Sequence, residues 1–117
     1  MTIQKYNNYV FQSSSTKTKE FLSFARAYKK AIQEKLGADF ELVNWNTGHF
    51  YISTFVLNKI NGKYVYLSCS DVRYFRNAWI DNILVRSAKD AKDYTGGSNN
   101  YTKLDSLFSS VSKLSSI

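Results

Sequence analysis

Apolar residues recur at steps of three and four between Thr16 and Leu36: Phe21, Ala25, Tyr28, Ile32 and Leu36, with Leu22 and Phe24 alongside. That spacing puts them on one stripe and predicts an amphipathic helix. Ser15 or Thr16 can cap its start, and Gly37 stands where a left-handed residue would end it. Lys29, Lys30 and Lys35 fall near the C-terminal end, where the helix dipole favours cations. The opposite face carries Lys19, Arg26, Lys30 and Gln33.

The period then changes to two. Asp39–Trp45 reads as a strand, Asn46-Thr47-Gly48 as a turn, His49–Ile60 as a long strand and Lys63–Ser70 as its return. Asn61-Gly62 between them is the signature of a two-residue type I′ hairpin turn. That turn would set Ile60 opposite Lys63, Val56 opposite Leu67 and Thr54 opposite Cys69. One face of the hairpin is then aliphatic (Ile52, Thr54, Val56, Val65, Leu67, Cys69). The other is aromatic and hydroxylic (Tyr51, Ser53, Phe55, Leu57, Tyr64, Tyr66, Ser68). The aliphatic face should meet the long helix.

Asp71–Asp81 breaks the alternation and predicts a loop with a helical turn. Asn82–Ala88 is a fourth strand, with Ile83 and Val85 facing one way and Leu84 and Arg86 the other. Residues 89–101 form a polar Gly/Asn-rich loop. Thr102–Leu114 is a second helix with the stripe Leu104, Leu107, Phe108, Val111 and Leu114; Thr102 and Asp105 resemble a capping box. The aromatic sheet face is the obvious place for this helix to bury its stripe. Residues 1–15 read as a tail or as an extra N-terminal edge strand.

These elements define an α+β domain over residues 1–117: a single antiparallel four-stranded sheet packed by a long N-terminal helix and a C-terminal helix. A chain of 117 residues buries about 65% of its unfolded surface, enough for one core without disulfides. Eight Phe, nine Tyr and two Trp supply large apolar area. The one cysteine, Cys69, and the one histidine, His49, are too few for a structural zinc site, so no metal or other cofactor is expected. No apolar leader segment and no transmembrane stretch is visible, and the cysteine usage fits a reducing compartment, so the expected location is the cytoplasm.

The formal charge of +7 favours polyanionic partners: nucleic acid, a nucleoprotein or an acidic protein face. Candidate contact residues follow from it. Arg73, Tyr74, Arg76 and Trp79 lie in the densest basic-aromatic run, where guanidinium forks suit phosphates and rings stack on bases. Arg86, Lys89, Lys92 and Tyr94 extend the set. Gly96-Gly97 ahead of a helix could present backbone N–H groups to a phosphate, although the segment lacks a P-loop's lysine and spacing. No catalytic constellation is present. His49, with Asp71 or Tyr51 as helpers, is the one group suited to general-base work. Cys69 is expected on the aliphatic face as a buried hydrophobe.

The stretches Ser70-Asp71-Val72-Arg73, Asn82-Ile83-Leu84-Val85-Arg86 and Asp93-Tyr94-Thr95-Gly96-Gly97-Ser98-Asn99 resemble small orphan proteins carried by phages and conjugative elements of AT-rich bacteria. The resemblance covers residues 48–103. It implies a stoichiometric inhibitor of host defence, such as an anti-CRISPR protein, and carries no catalytic residue. The leading expectation is therefore a non-enzymatic binding protein that docks a basic-aromatic surface on nucleic acid or on a host nucleic-acid-processing complex. The alternatives are a small metal-independent nuclease or RNA-directed toxin using His49, and a protein-only module, for instance a homodimer.

Overall fold

The computed structural model describes residues 19–48, 51–71 and 78–116. The expectations for residues 1–15, for the Ser15/Thr16 cap and for His49 lie outside them.

Helix α1 runs Lys19–Leu36, followed by strands β1 (Phe40–Thr47), β2 (Ile52–Asn58) and β3 (Tyr64–Cys69). A short helix α2 (Ala78–Asp81) leads into β4 (Ile83–Ala88) and β5 (Asn100–Thr102). A 3₁₀ turn, Leu104–Ser106, then opens helix α3, Leu107–Ser115. The strands form one antiparallel sheet in chain order, β1-β2-β3-β4-β5. The α+β architecture thus stands as expected, with one strand more than four. That strand comes from the end of the polar loop, where Asn100–Thr102 pairs with Ile83, Leu84 and Val85.

Helix α1 buries the stripe its spacing announces. Phe21, Phe24, Ala25, Tyr28, Ile32 and Leu36 join Ile52, Val56, Val65, Leu67, Cys69, Ile83 and Val85 from the sheet in one core. Gly37 ends the helix at φ +85, and its N–H donates to the Gln33 carbonyl at 3.0 Å. The Gln33 side-chain amide donates in turn to the carbonyls of Gly37 and Phe40, stapling the helix end to β1.

Helix α3 lies on this same face, with Leu107 and Val111 in the core beside α1. The expectation that it would cover the aromatic face is therefore corrected. Its predicted capping box is also absent: Thr102 belongs to β5, and no side chain caps the 3₁₀ turn or the helix.

The hairpin departs from the type I′ expectation. Asn58 pairs with Lys63 across a four-residue loop, and β2 meets β3 two residues away from the expected register, with Val56 opposite Val65 and Ile52 opposite Cys69. A shift of two preserves both faces, which is why the face assignment survives. In this loop only Gly62 has positive φ, at +74. The two asparagines act through their side chains instead. The Asn58 and Asn61 amides donate to the Ser115 hydroxyl (3.0 Å) and carbonyl (2.8 Å), tying the loop to the end of α3.

Strand β1 carries a bulge. Val43 pairs with Phe55, but Asn46 pairs with Ser53, so one extra residue is inserted between them. Asn44 absorbs it at φ +55, a left-handed conformation that asparagine tolerates better than most residues. The Thr54 hydroxyl donates to the displaced Val43 carbonyl at 2.9 Å. The insertion switches the alternation, so Trp45 turns onto the helix side and packs against the core.

Trp79 is the largest fully buried side chain. Its ring sits 4.6 Å from Tyr28, 5.0 Å from Phe24 and 6.2 Å from Phe21. The indole N–H donates to the Ser70 carbonyl at 2.8 Å, and the Tyr28 hydroxyl donates to the Trp79 carbonyl at 2.5 Å. Trp79→Ala is expected to lower unfolding stability by about 3–5 kcal/mol, the range for emptying an aromatic core site, in a urea titration with unchanged far-ultraviolet dichroism at zero denaturant.

Candidate polyanion-binding surfaces

On the side of the sheet away from the helices, residues 89–97 of the loop between β4 and β5 lie over Phe55, Tyr66 and Arg86. Phe55, Tyr66 and Tyr94 form an aromatic trio there, with centroid separations of 5.2, 5.2 and 5.9 Å. Phe55 is wholly buried although it lies outside the main core, while Tyr94 is 55% exposed. Arg86 sits among these rings. Its guanidinium carbon lies 4.3 Å from the Tyr66 centroid, and its nitrogens donate to the carbonyls of Gly96 (2.5 Å) and Asp93 (3.0 Å). At 4% exposure it is a buried cation, neutralised by carbonyl dipoles and a ring face, with no described carboxylate within ion-pair distance.

Asp93 organises the loop from within. Its carboxylate accepts backbone N–H bonds from Lys89 (3.0 Å), Gly96 (2.8 Å) and Thr95 (3.3 Å). The Lys89 bond is the largest cause holding its carboxyl below the usual aspartate range; the Gly96 and Thr95 bonds and the Arg86 charge add to it. Gly97 is a steric necessity, and Gly96 leaves the room in which the Asp93 carboxylate sits. A Cβ on Gly96 would stand 2.4 Å from the Asp93 carboxylate, and one on Gly97, at φ +76, would stand 2.6 Å from the Ser87 carbonyl. The Asn44 amide at the β1 bulge also donates to the Ala91 carbonyl at 2.9 Å, anchoring the far end of the loop. The phosphate reading of Gly96-Gly97 is corrected accordingly: the Gly96 amide that would help cradle an external anion already binds Asp93.

The sequence-derived contact residues therefore separate. Trp79 is interior and cannot touch a partner. Arg86 is a structural cation and not a surface one. Lys89, Lys92 and Tyr94 are exposed on the loop, and Lys89 shares a shallow cleft of about 330 Å³ with Lys63 and Tyr64. Arg73, Tyr74 and Arg76 lie outside the described residues. Cys69 is buried beside the Tyr28 hydroxyl at 3.5 Å, and burial pushes its thiol up to about 12, so it is an inert hydrophobe as expected. Among the described residues no group of three His, Cys, Asp or Glu side chains is placed to hold a metal ion, and no helix is long and apolar enough to cross a membrane.

The most regular cationic array lies on the other layer, along the solvent face of α1. Lys19, Arg26 and Lys30 share one helical face, Lys29 flanks them, and all four are exposed. From Lys19 to Lys30 the ridge is roughly 16 Å long, from the helical rise per residue. None of the four forms an ion pair with a described residue; the one described salt bridge joins Lys35 to Asp105 at 3.1 Å. The Lys29 ammonium lies 5.7 Å from the Trp45 ring centroid. Glu34 is the only exposed carboxylate among the described α1 side chains. The periodic signal for this ridge is present in the sequence, but the denser Arg73–Trp79 run draws attention away from it.

No protein-family model matches the chain, and the searches of curated proteins and of solved structures return no match to it.

Two outcomes test the loop. Gly97→Ala is expected to cost at least about 1 kcal/mol for the left-handed backbone alone and to speed protease cleavage within residues 89–99. Because the folded-state pKa of Asp93 is depressed, its contribution is complete above the unfolded value of about 3.9 and fades as pH falls through the lower folded value. The amide resonances of Lys89 and Gly96 should therefore hold steady down to about pH 4 and shift together below it. In Asp93→Asn that acid transition should vanish.

Proposed function

We propose that the chain is a binding module that docks a basic surface on nucleic acid, and through it on a host nucleic-acid-processing assembly. The observation that carries this reading is the α1 ridge: Lys19, Arg26 and Lys30 in line with Lys29 beside them, all exposed and without ion-pair partners among the described residues. A field of one sign on a rigid element attracts a polyanion, and each phosphate it neutralises releases a counterion. Lys89 and Lys92 lie on the opposite layer, so they would add a general positive field and not extend the same footprint. The resemblance to small proteins of phages and conjugative elements supports an inhibitory role, with occupancy of the nucleic acid or its machinery as the means and no chemical step required.

Arg26→Ala with Lys30→Ala is the direct test. Both side chains are exposed, so the melting temperature should move little. Fluorescence anisotropy against a labelled oligonucleotide should show affinity falling at least tenfold. The slope of log K against log salt should become shallower by about two, one for each phosphate the variant no longer neutralises. Unchanged affinity and slope would remove α1 from the interface.

A further inference from the structure

Resting on that reading, we infer that the nucleic acid held by the α1 ridge is double-helical DNA, gripped by its phosphates without reading sequence. Three observations carry this. First, no exposed described side chain on α1 is aromatic. Single-strand binders gain about 1–3 kcal/mol per base from rings on which bases stack, and this ridge has none to offer. The ring beside Lys29, Trp45, is half-buried and has the ammonium over it. On the other sheet face Phe55 is wholly buried and Arg86 covers Tyr66; the exposed ring of that trio, Tyr94, stands on the layer away from the ridge and cannot stack bases held by α1.

Second, the ridge has no free amide with which to read adenine. The amide of Gln33, the one α1 side chain suited to bidentate adenine contact, is spent on the carbonyls of Gly37 and Phe40 at 3.0 and 2.8 Å. What projects is three ammonium groups, which bind phosphate as point charges, and one guanidinium fork, Arg26, the single group of the ridge with bidentate geometry for guanine.

Third, the array stands on a rigid helix. Helix α1 is clamped along its inner face by Phe21, Phe24, Tyr28 and Ile32 and at its end by Gln33. The points from which its cations spring therefore keep a fixed spacing, which suits the regular phosphate lattice of a duplex better than a flexible strand. A helix about 10–12 Å across matches the roughly 12 Å major groove of B-form DNA. The deep, narrow major groove of A-form RNA would not admit it.

The experiment is an anisotropy comparison on the full chain. Its probes are two 20-base-pair DNA duplexes of unrelated sequence, one of their single strands and an RNA duplex of equal length. The expected result is equal affinity for the two DNA duplexes within about twofold, with the single strand and the RNA duplex each at least tenfold weaker. Arg26→Ala with Lys30→Ala should abolish that preference, and Lys30→Arg, which keeps the charge, should retain it. Equal or tighter binding of the single strand or of RNA, or more than tenfold discrimination between the DNA sequences, overturns this inference while leaving nucleic-acid binding intact. Failure to bind all four probes overturns the proposed function as well. A wild-type melting curve for each variant separates loss of binding from loss of fold.

Discussion

The contact between the Trp79 indole and the aromatic inner face of α1 is the constraint on which the rest of the molecule hangs. Three rings of α1 surround the indole, and the Tyr28 hydroxyl holds the Trp79 carbonyl. The indole N–H in turn holds Ser70, just past the end of β3. One side chain thus joins the long helix, the end of one strand and the turn that leads into the next. Burying it fixes the rotation of α1 about its own axis, because a stripe this wide and aromatic has only one orientation in which every ring is covered. Everything that α1 shows to solvent, including its cations, follows from that rotation.

Helices α1 and α3 share one face of the sheet, and Phe55 and Tyr66 on the other face are covered by other means. A loop does so here, and the chemistry it uses is polar. Arg86 would be costly to bury alone, but two carbonyls and the Tyr66 ring take up its donors and charge. Asp93 satisfies three amides that a tight loop would otherwise leave exposed beneath its own backbone. From the loop, the Tyr94 ring reaches the Phe55–Tyr66 pair. Gly96 and Gly97 permit the close approach to Asp93 and Ser87 that the arrangement requires.

Much of this architecture was legible in the chain because periodicity reports burial. The apolar steps of three and four in α1, and the alternation in β2, β3 and β4, each name a buried face, and those faces are the ones observed. What escaped was decided by contacts distant in sequence. The hairpin loop lengthened because Asn58 and Asn61 have partners on α3, a contact no local turn rule contains. The β1 bulge depends on Thr54 and on Ala91, residues that stand 11 and 47 positions from their partners. Helix α3 carries a single apolar stripe, which shows that it packs but not on which side of the sheet. On the candidate site, composition pointed to cations and rings together. The described residues instead divide them: Trp79 and Phe55 are interior, whereas the aligned cations without a described ion-pair partner stand on α1.

That division bears on how a chain of net charge +7 would recognise anything. The exposed cations of the described residues stand on both layers: α1 carries one group and the loop after β4 another. Charge scattered in this way raises encounter rates with any polyanion but selects no geometry. Selectivity needs cations whose mutual spacing is set before binding, since long basic side chains otherwise give up rotamer freedom when they engage a partner. On the loop, Lys89 and Lys92 stand on irregular backbone held by a few hydrogen bonds. On α1, the helical repeat that buries Phe21, Tyr28 and Ile32 also sets Lys19, Arg26 and Lys30 in line on the opposite side. The core and the ridge are two faces of one periodicity, so the packing that stabilises the fold also preorganises the surface.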